Sequence, residues 1–376
     1  MARKVAFRPG NAENPRAVTL QLYLLRQMIA ALVVIAGGIT FVVFPAVAVG
    51  AVHKLGGVNV GAMLGYLPLV GMGLVPYLVP MAFLLAVVSV FGRLAAQNEW
   101  TAIRMARVNP LQTLLPAILV ALCLGGSTYY LLATVVPNYK YEQTVYRRST
   151  VIEAFKNLSP GRTELTFEDF HLDAARRAGP NSFAEVLLYL PGPTPEEDQE
   201  FVAELATFKF TENELEISLT DARIVLDETA IEAGNIGLAV SLDQLFPPPS
   251  VSRTRGKYMT SKQMRDALDL SGPGEGIDAG KRVEYEYEVN RRRALSLSYL
   301  LFLFLGAPIG IALRKGTQLA AMTTGVGVAF IYYIASLRMG KQIIQMSDIS
   351  PLVAVWSTNG IGAVIGLVLT WRIVRR

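Results

Sequence analysis

Six long apolar runs punctuate the chain: Gln27–Val52, Tyr66–Phe91, Leu111–Val136, Ala294–Leu313, Leu319–Leu337 and Leu352–Trp371. None contains Asp, Glu, Lys or Arg. Each is close to, or beyond, the roughly 20 residues that a helix needs to cross a hydrocarbon core. The first run is too long for a signal peptide, and five more follow it. Between the third and fourth runs the period changes. Phe183–Leu190, Phe201–Phe210, Leu215–Leu219 and Ala222–Leu226 are short, partly alternating and rich in Leu, Val, Ile, Phe and Tyr. Turn formers at Pro191–Pro195, Glu212–Asn213 and Gly234–Asn235 separate them, which is the pattern of strands. Pro247–Pro249 and Gly272–Gly280 read as loops. Met259–Leu270 reads as a helix capped by Thr260 or Ser261, and Glu284–Asn290 leads into the fourth run. The pattern predicts an α-helical polytopic membrane protein with six transmembrane helices, three before and three after an inserted all-β domain. The expected boundaries are 1–22 for a polar tail, 23–137 for helices one to three, 138–290 for the β-domain and 291–376 for helices four to six.

Charge orients this scheme. The N-terminal tail, the second and fourth connectors and the C-terminus carry thirteen Lys and Arg, against three (Lys54, Arg338 and Lys341) in the opposite short loops. Basic connectors stay in the cytoplasm, so both termini are expected there and the β-domain outside. Residues 138–290 hold 16 basic and 27 acidic side chains, while the rest of the chain holds 19 basic and 3 acidic. The net charge of +5 therefore reports topology and gives no reason to expect nucleic acid. Arg291, Arg292 and Arg293 resist the rule, because they begin the fourth span on the outer side. The single cysteine, Cys123, lies in the third run, so no disulfide within the chain is expected.

Within the polar segment Gly92–Asn109, between the second and third runs, one residue stands out. Outside the β-domain block the acidic residues are Glu13, Glu99 and Asp348. Glu13 sits in the polar tail and Asp348 in a short loop, whereas Glu99 sits in a helical segment. Its helical neighbours Ala95, Ala96, Ala102 and Ile103 offer it no ion pair. That isolation suggests a partner outside the chain, set against the plainer reading of a solvated charge in a connector. Span two carries Pro68, Pro76 and Pro80, which favour bends that neighbouring helices must accommodate. Gly306-xxx-Gly310 and Gly362-xxx-Gly366 are read as packing features.

Catalytic signals are missing. No Walker A string is present: Gly280-Lys281 is followed by Arg282 and has Glu at position 275. The two histidines, His53 and His171, have no metal-ligand spacing. No run carries the ionisable residues that ion-coupled carriers use inside the membrane, so a transporter of this kind would draw its energy from another subunit. The expectation is no enzyme activity, no metal and no cofactor on this chain.

Tyr23-Leu-Leu-Arg26, Val75-Pro-Tyr-Leu-Val-Pro80 running into Phe91–Arg104, and Arg291-Arg-Arg-Ala-Leu295 followed by Leu305–Ile311 carry a resemblance that covers nearly the whole chain from Tyr23. The sequence resembles the lipopolysaccharide-export permeases, and its Pro-Tyr-Leu-Val-Pro string is more similar to the F-type than to the G-type subunit. The resemblance implies a multi-pass bacterial inner-membrane protein with a periplasmic β-jellyroll, paired as a heterodimer with a paralogous permease. A cytoplasmic ATPase dimer holding ATP and Mg would drive it, and periplasmic jellyroll bridge proteins would receive lipopolysaccharide from it. It implies that residues 93–107 form the coupling helix, with Glu99, Arg93, Trp100 and Arg104 meeting the ATPase. For lipid phosphates it points to Lys54, Lys140, Arg147, Arg148, Arg291, Arg292 and Arg293, because an Arg fork binds phosphate bidentately. Alternatively these cations pair with the acidic β-domain or with ordinary headgroups. One departure from the family is Met105-Ala-Arg107 after the coupling helix, where a small residue or Gly is usual. The competing readings are a permease-like or scaffold subunit of another envelope complex, one that moves lipoprotein or transmits force. Such chains usually have four spans, which counts against them.

Overall fold

The computed structural model describes residues 15–55, 60–156, 164–167, 170–179, 181–190, 199–210, 214–226, 229–241, 254–270, 278–313, 318–336 and 349–375. The expected polar tail before Pro15, the turns at 191–195, 212–213, 247–249 and 314–317, the loop from 272 to 277, and Arg338, Lys341 and Asp348 lie outside the described residues. The chain divides into two compact units, one formed by Met1–Thr40, Pro76–Ala133 and Asp278–Arg376, the other by Phe41–Val75 and Thr134–Ile277.

Nine α-helices are described: α1 (Pro15–Leu55), α2 (Val60–Ala96), α3 (Glu99–Met105), α4 (Pro110–Tyr130), α5 (Val136–Lys156), α6 (Ser261–Leu270), α7 (Ala279–Ala312), α8 (Gln318–Ile334) and α9 (Pro351–Arg375). Among the described residues five helical stretches are long and apolar enough to span a membrane: Thr19–Ala51, Leu64–Ala96, Gln112–Thr150, Ala279–Ala312 and Pro351–Ile373. The fifth of the six expected spans, Leu319–Leu337, appears as a shorter apolar helix, Ala320–Ile334. Three boundaries differ from expectation. The short helix expected over residues 93–107 spans only Glu99–Met105, because the preceding span runs on to Ala96 and carries Arg93 in its last turn. The third span does not stop at Pro137. A wider π-type turn at Leu131–Val135 precedes the proline, and the chain continues directly into α5 with Pro137 in its first turn. The fourth span begins at Ala279, so Glu288 and the Arg triplet belong to one continuous helix.

In the helical unit, α2 and α7 are the most buried helices. A helix apolar all round is stable only when surrounded, and Phe83, Leu84, Val87 and Val88 have no exposed surface. Phe302 and Leu303 of α7 are equally buried. Phe83 meets Tyr299 edge-on at 5.5 Å between centroids, and Phe302 meets Tyr332 at 4.9 Å. Both Gly-xxx-Gly pairs lie at helix contacts, as expected. A Cβ at Gly310 would stand 2.6 Å from the Val88 carbonyl oxygen, and one at Gly362 would stand 2.8 Å from Leu301 Cδ1. Small residues let these backbones meet. Polar groups tie the same helices together. Thr128 and Tyr299 share a hydrogen bond of 2.7 Å, Tyr332 donates to Asn359 Oδ1 at 2.9 Å, and Asn359 donates to the Ala294 carbonyl at 2.7 Å. The helix α2 is continuous through all three prolines. Pro80 removes the usual donor to the Pro76 carbonyl, and next to it the Tyr77 carbonyl accepts from Tyr333 at 2.6 Å.

The other unit contains the sheet. Strands β1 (Glu164–Phe167), β2 (Phe170–Gly179), β3 (Ser182–Leu190), β4 (Gln199–Phe210), β5 (Glu214–Leu226) and β6 (Thr229–Ser241) form one antiparallel sheet in chain order. The crossovers that define a jellyroll are absent among the described strands, because each pairs with its immediate chain neighbours. Alternation places Val186, Leu188, Phe201, Ala203, Ile217 and Leu219 on a buried face. The two segments expected as separate strands, Leu215–Leu219 and Ala222–Leu226, are one strand with irregular pairing at Asp221, where φ is 50°. Gly234–Asn235, expected as a turn, is an irregularity inside β6. Gly234 adopts φ 65°, and the Asn235 Oδ1 accepts from the Asp221 N–H. Helix α6 starts as predicted, with Thr260 and Gln263 capping each other's backbone N–H at 3.3 and 2.9 Å.

Candidate functional site

Two clusters of functional candidates lie in the helical unit. The first is the polar segment between α2 and α4. Asn98 takes a left-handed conformation (φ 60°) that turns the chain sharply after α2, a conformation Asn tolerates better than most residues. The seven residues of α3 follow, with Glu99 first and Arg104 in the last turn. Trp100 is 5 % exposed and meets Phe91 edge-on at 6.3 Å. It therefore anchors α3 to the bundle and offers no surface to a partner. Tyr23 of α1 donates to the Glu99 carboxylate, with both oxygens at 3.3 Å. One hydroxyl shared at that length leaves most of the carboxylate's accepting capacity unused. Arg93 lies in the last turn of α2, ahead of α3, and is exposed, while Arg104 is half-buried.

The C-terminal end of α3 explains the unusual Met105-Ala-Arg107. The Arg107 N–H bonds to the Arg104 carbonyl at 3.0 Å and the Val108 N–H to the Ile103 carbonyl at 3.3 Å. Those two bonds make a Schellman closure, with Arg107 at φ 55° where Gly is usual. The turn forms in spite of the departure, at a conformational cost of about 1 kcal/mol.

The second cluster is centred on Glu288 of α7. Arg291 forks onto both its carboxylate oxygens, with Nη2 at 3.1 and 2.9 Å, and donates through Nη1 to the Tyr77 hydroxyl at 2.9 Å. Arg292 Nε lies 3.7 Å from the same carboxylate. Glu288 is three and four residues before these arginines, on the same helical face. Arg292 is 3 % exposed and Glu288 9 %. Part of the Arg triplet is thus committed within the chain, with Glu288 as its counter-ion. Arg293 is half-buried.

The remaining cations belong to the other unit. Lys140, Arg147 and Arg148 lie along one stripe of α5 and are half-buried. Thr144, between them on that stripe, donates to the Tyr258 hydroxyl at 3.3 Å. Lys257 lies 4.8 Å over the Tyr258 ring. Burial alone would raise the Tyr258 phenol. Hydrogen bonds with Thr144 and Lys257 and the charges of Lys257 and Arg147 outweigh it and hold the group below its ordinary value. This stripe is electropositive. Lys54 is near the end of α1, and its side chain lies outside the described set, as does that of His171 in β2. Among the described residues no three His, Cys, Asp or Glu side chains gather as a metal site.

Sequence reasoning missed Glu288, Tyr77, Tyr23, Lys257 and Tyr258. The i−3 and i−4 spacing of Glu288 to Arg291 and Arg292 was a readable signal. The Tyr23–Glu99 link spans 76 residues and had none.

Long apolar helices in two groups, a β-sheet region inserted between them and a short polar helix between two spans define a polytopic membrane protein of permease type. The chain belongs to the lipopolysaccharide export system permease LptF/LptG family, whose model matches residues 22–372. A comparison with curated proteins found no match.

Proposed function

We propose that this chain is one permease subunit of an ATP-driven exporter that lifts lipopolysaccharide out of the bacterial inner membrane and passes it to periplasmic bridge proteins. ATP and Mg are held by a separate cytoplasmic ATPase dimer, and a paralogous permease completes the membrane core. Both termini and α3 face the cytoplasm, where the Lys and Arg of the short connectors concentrate. The Pro-Tyr-Leu-Val-Pro string favours the F-type subunit. The observation that carries the reading is Glu99, a carboxylate at the start of a short helix whose other end is closed by a Schellman turn and whose Trp100 is fixed in the bundle. A rigidly held charge between two spans suits the transmission of a partner's movement. In this reading Glu99 and Arg104 meet the ATPase, and Trp100 holds them in place. The lipid phosphates meet Lys54, Lys140, Arg147, Arg148, Arg291, Arg292 and Arg293 in this reading.

Co-purification of the membrane complex from cells tests this, with wild type compared against Glu99→Ala and Glu99→Lys. The wild type should bring down an ATPase, and the variants should lose it or its stimulated hydrolysis. If no ATPase accompanies the wild type, or Glu99→Lys binds and works equally well, the coupling reading fails.

A further inference from the structure

Between α1, α2 and α8 a groove of about 570 Å³ opens on the helical unit, a size typical of small-molecule sites. Its lining is graded. At one end stand Tyr23, Arg26 and Gln27 of α1 with Arg93 of α2, and further along come Ala30, Val34 and Ile35 of α1 with Val90 and Met322. Positions 23, 26, 27, 30, 31 and 34 share one helical face, so the polarity changes along the groove over ~12 Å of helix. Neither the Arg26 nor the Arg93 guanidinium has an ion-pair or hydrogen-bond partner among the described residues. The Gln27 Oε1 is buried and likewise lacks a partner. Half a turn of that amide would present its N–H donors instead, the end an anion needs.

We propose that this groove is a binding site for an anionic glycerophospholipid, its phosphate between Arg26 and Arg93 and one acyl chain along Ala30, Val34 and Val90. Two unpaired forks at the polar end match a phosphate diester, and an apolar channel beginning beside them matches the attached chain. Basic pockets between spans on the cytoplasmic side are where anionic headgroups are held. Because Tyr23 both lines the groove and donates to Glu99, a bound lipid restrains the residue that positions that carboxylate. The consequence for coupling, and the assignment of the lipid to the cytoplasmic leaflet, rest on the function proposed above. The binding itself does not, so a test of binding alone leaves the two separable.

The test is native mass spectrometry of the full chain in its complex, purified in detergent and titrated with phosphatidylglycerol or phosphatidylcholine. Wild type should retain phosphatidylglycerol preferentially, and Arg26→Gln with Arg93→Gln should reduce that retention about a hundredfold, the loss of roughly two charge-assisted contacts. Ala30→Trp, which fills the channel and leaves both charges, should lower retention of both lipids, so the result does not depend on the double variant folding. Equal retention by wild type and both variants overturns the site, as does displacement of the lipid by inorganic phosphate at matched concentration, which would show a phosphate site without lipid. Efficient cross-linking of Val34→Cys to a second permease subunit would also overturn it, because a protein helix would then fill the groove.

Discussion

Replacing Glu288 by Gln should strip the counter-ion from two buried guanidiniums. The side chains of Arg291 and Glu288 keep only 15 % and 12 % of their exposure, and that of Arg292 keeps 3 %. At about 4 Å and an effective dielectric of ~20, one such charge pair is worth roughly 4 kcal/mol. Glu288 attracts two cations, and the repulsion between those cations offsets much of the second attraction. Water and side-chain relaxation reduce the remainder, and breaking one partner out of a buried pair costs ~3–5 kcal/mol. Glu288→Gln keeps the shape and removes only the charge, so the loss should fall in that range. Thermal unfolding of the detergent-solubilised protein measures it against two references. Glu286→Gln removes a surface pair with Arg282, at 3.5 Å with both side chains about 40 % exposed, and should cost under ~1 kcal/mol. Glu288→Gln with Arg292→Met should recover part of the loss, because one stranded cation is gone. If Glu288→Gln lies within about 1 kcal/mol of wild type, the cluster does not hold α7 in place and the reasoning is wrong.

Gly310→Ala should destabilise by ~1–3 kcal/mol, since its Cβ would stand 2.6 Å from a backbone oxygen of α2; unfolding curves report the loss. Arg107→Gly should raise stability by about 1 kcal/mol by removing the left-handed strain, readable as a higher unfolding midpoint. Thr260→Ala should cost ~1 kcal/mol and expose α6, which hydrogen exchange of the amides at its start would detect.

The spans were legible because ~20 apolar residues without charge admit few other readings, and the capping of α6 was legible because its box is local. What failed was non-local or hidden by a rule. Pro137 suggested a stop because a π-type turn leaves no mark in composition. Gly234–Asn235 is strong turn chemistry, yet a left-handed glycine serves a strand irregularity equally well. Glu288 vanished into the acidic block of the neighbouring domain, so the Arg triplet looked like an exception to the charge rule. The resemblance grouped Trp100 with Glu99; successive helical residues point in different directions, and in the structure Trp100 packs against Phe91 while Glu99 meets Tyr23. The groove at Arg26 and Arg93 joins helix ends far apart in the chain and had no sequence signature.

The chain-order pairing of the β-sheet bears on synthesis. Every described strand pairs with the segment just made or the one to follow, so pairing closes only short loops. A sheet of this topology can assemble hairpin by hairpin as it emerges, before α7, α8 and α9 have left the ribosome. A domain inserted between spans then has no need to wait for the far half of the membrane unit, and its unpaired edges are exposed for the shortest time the topology permits.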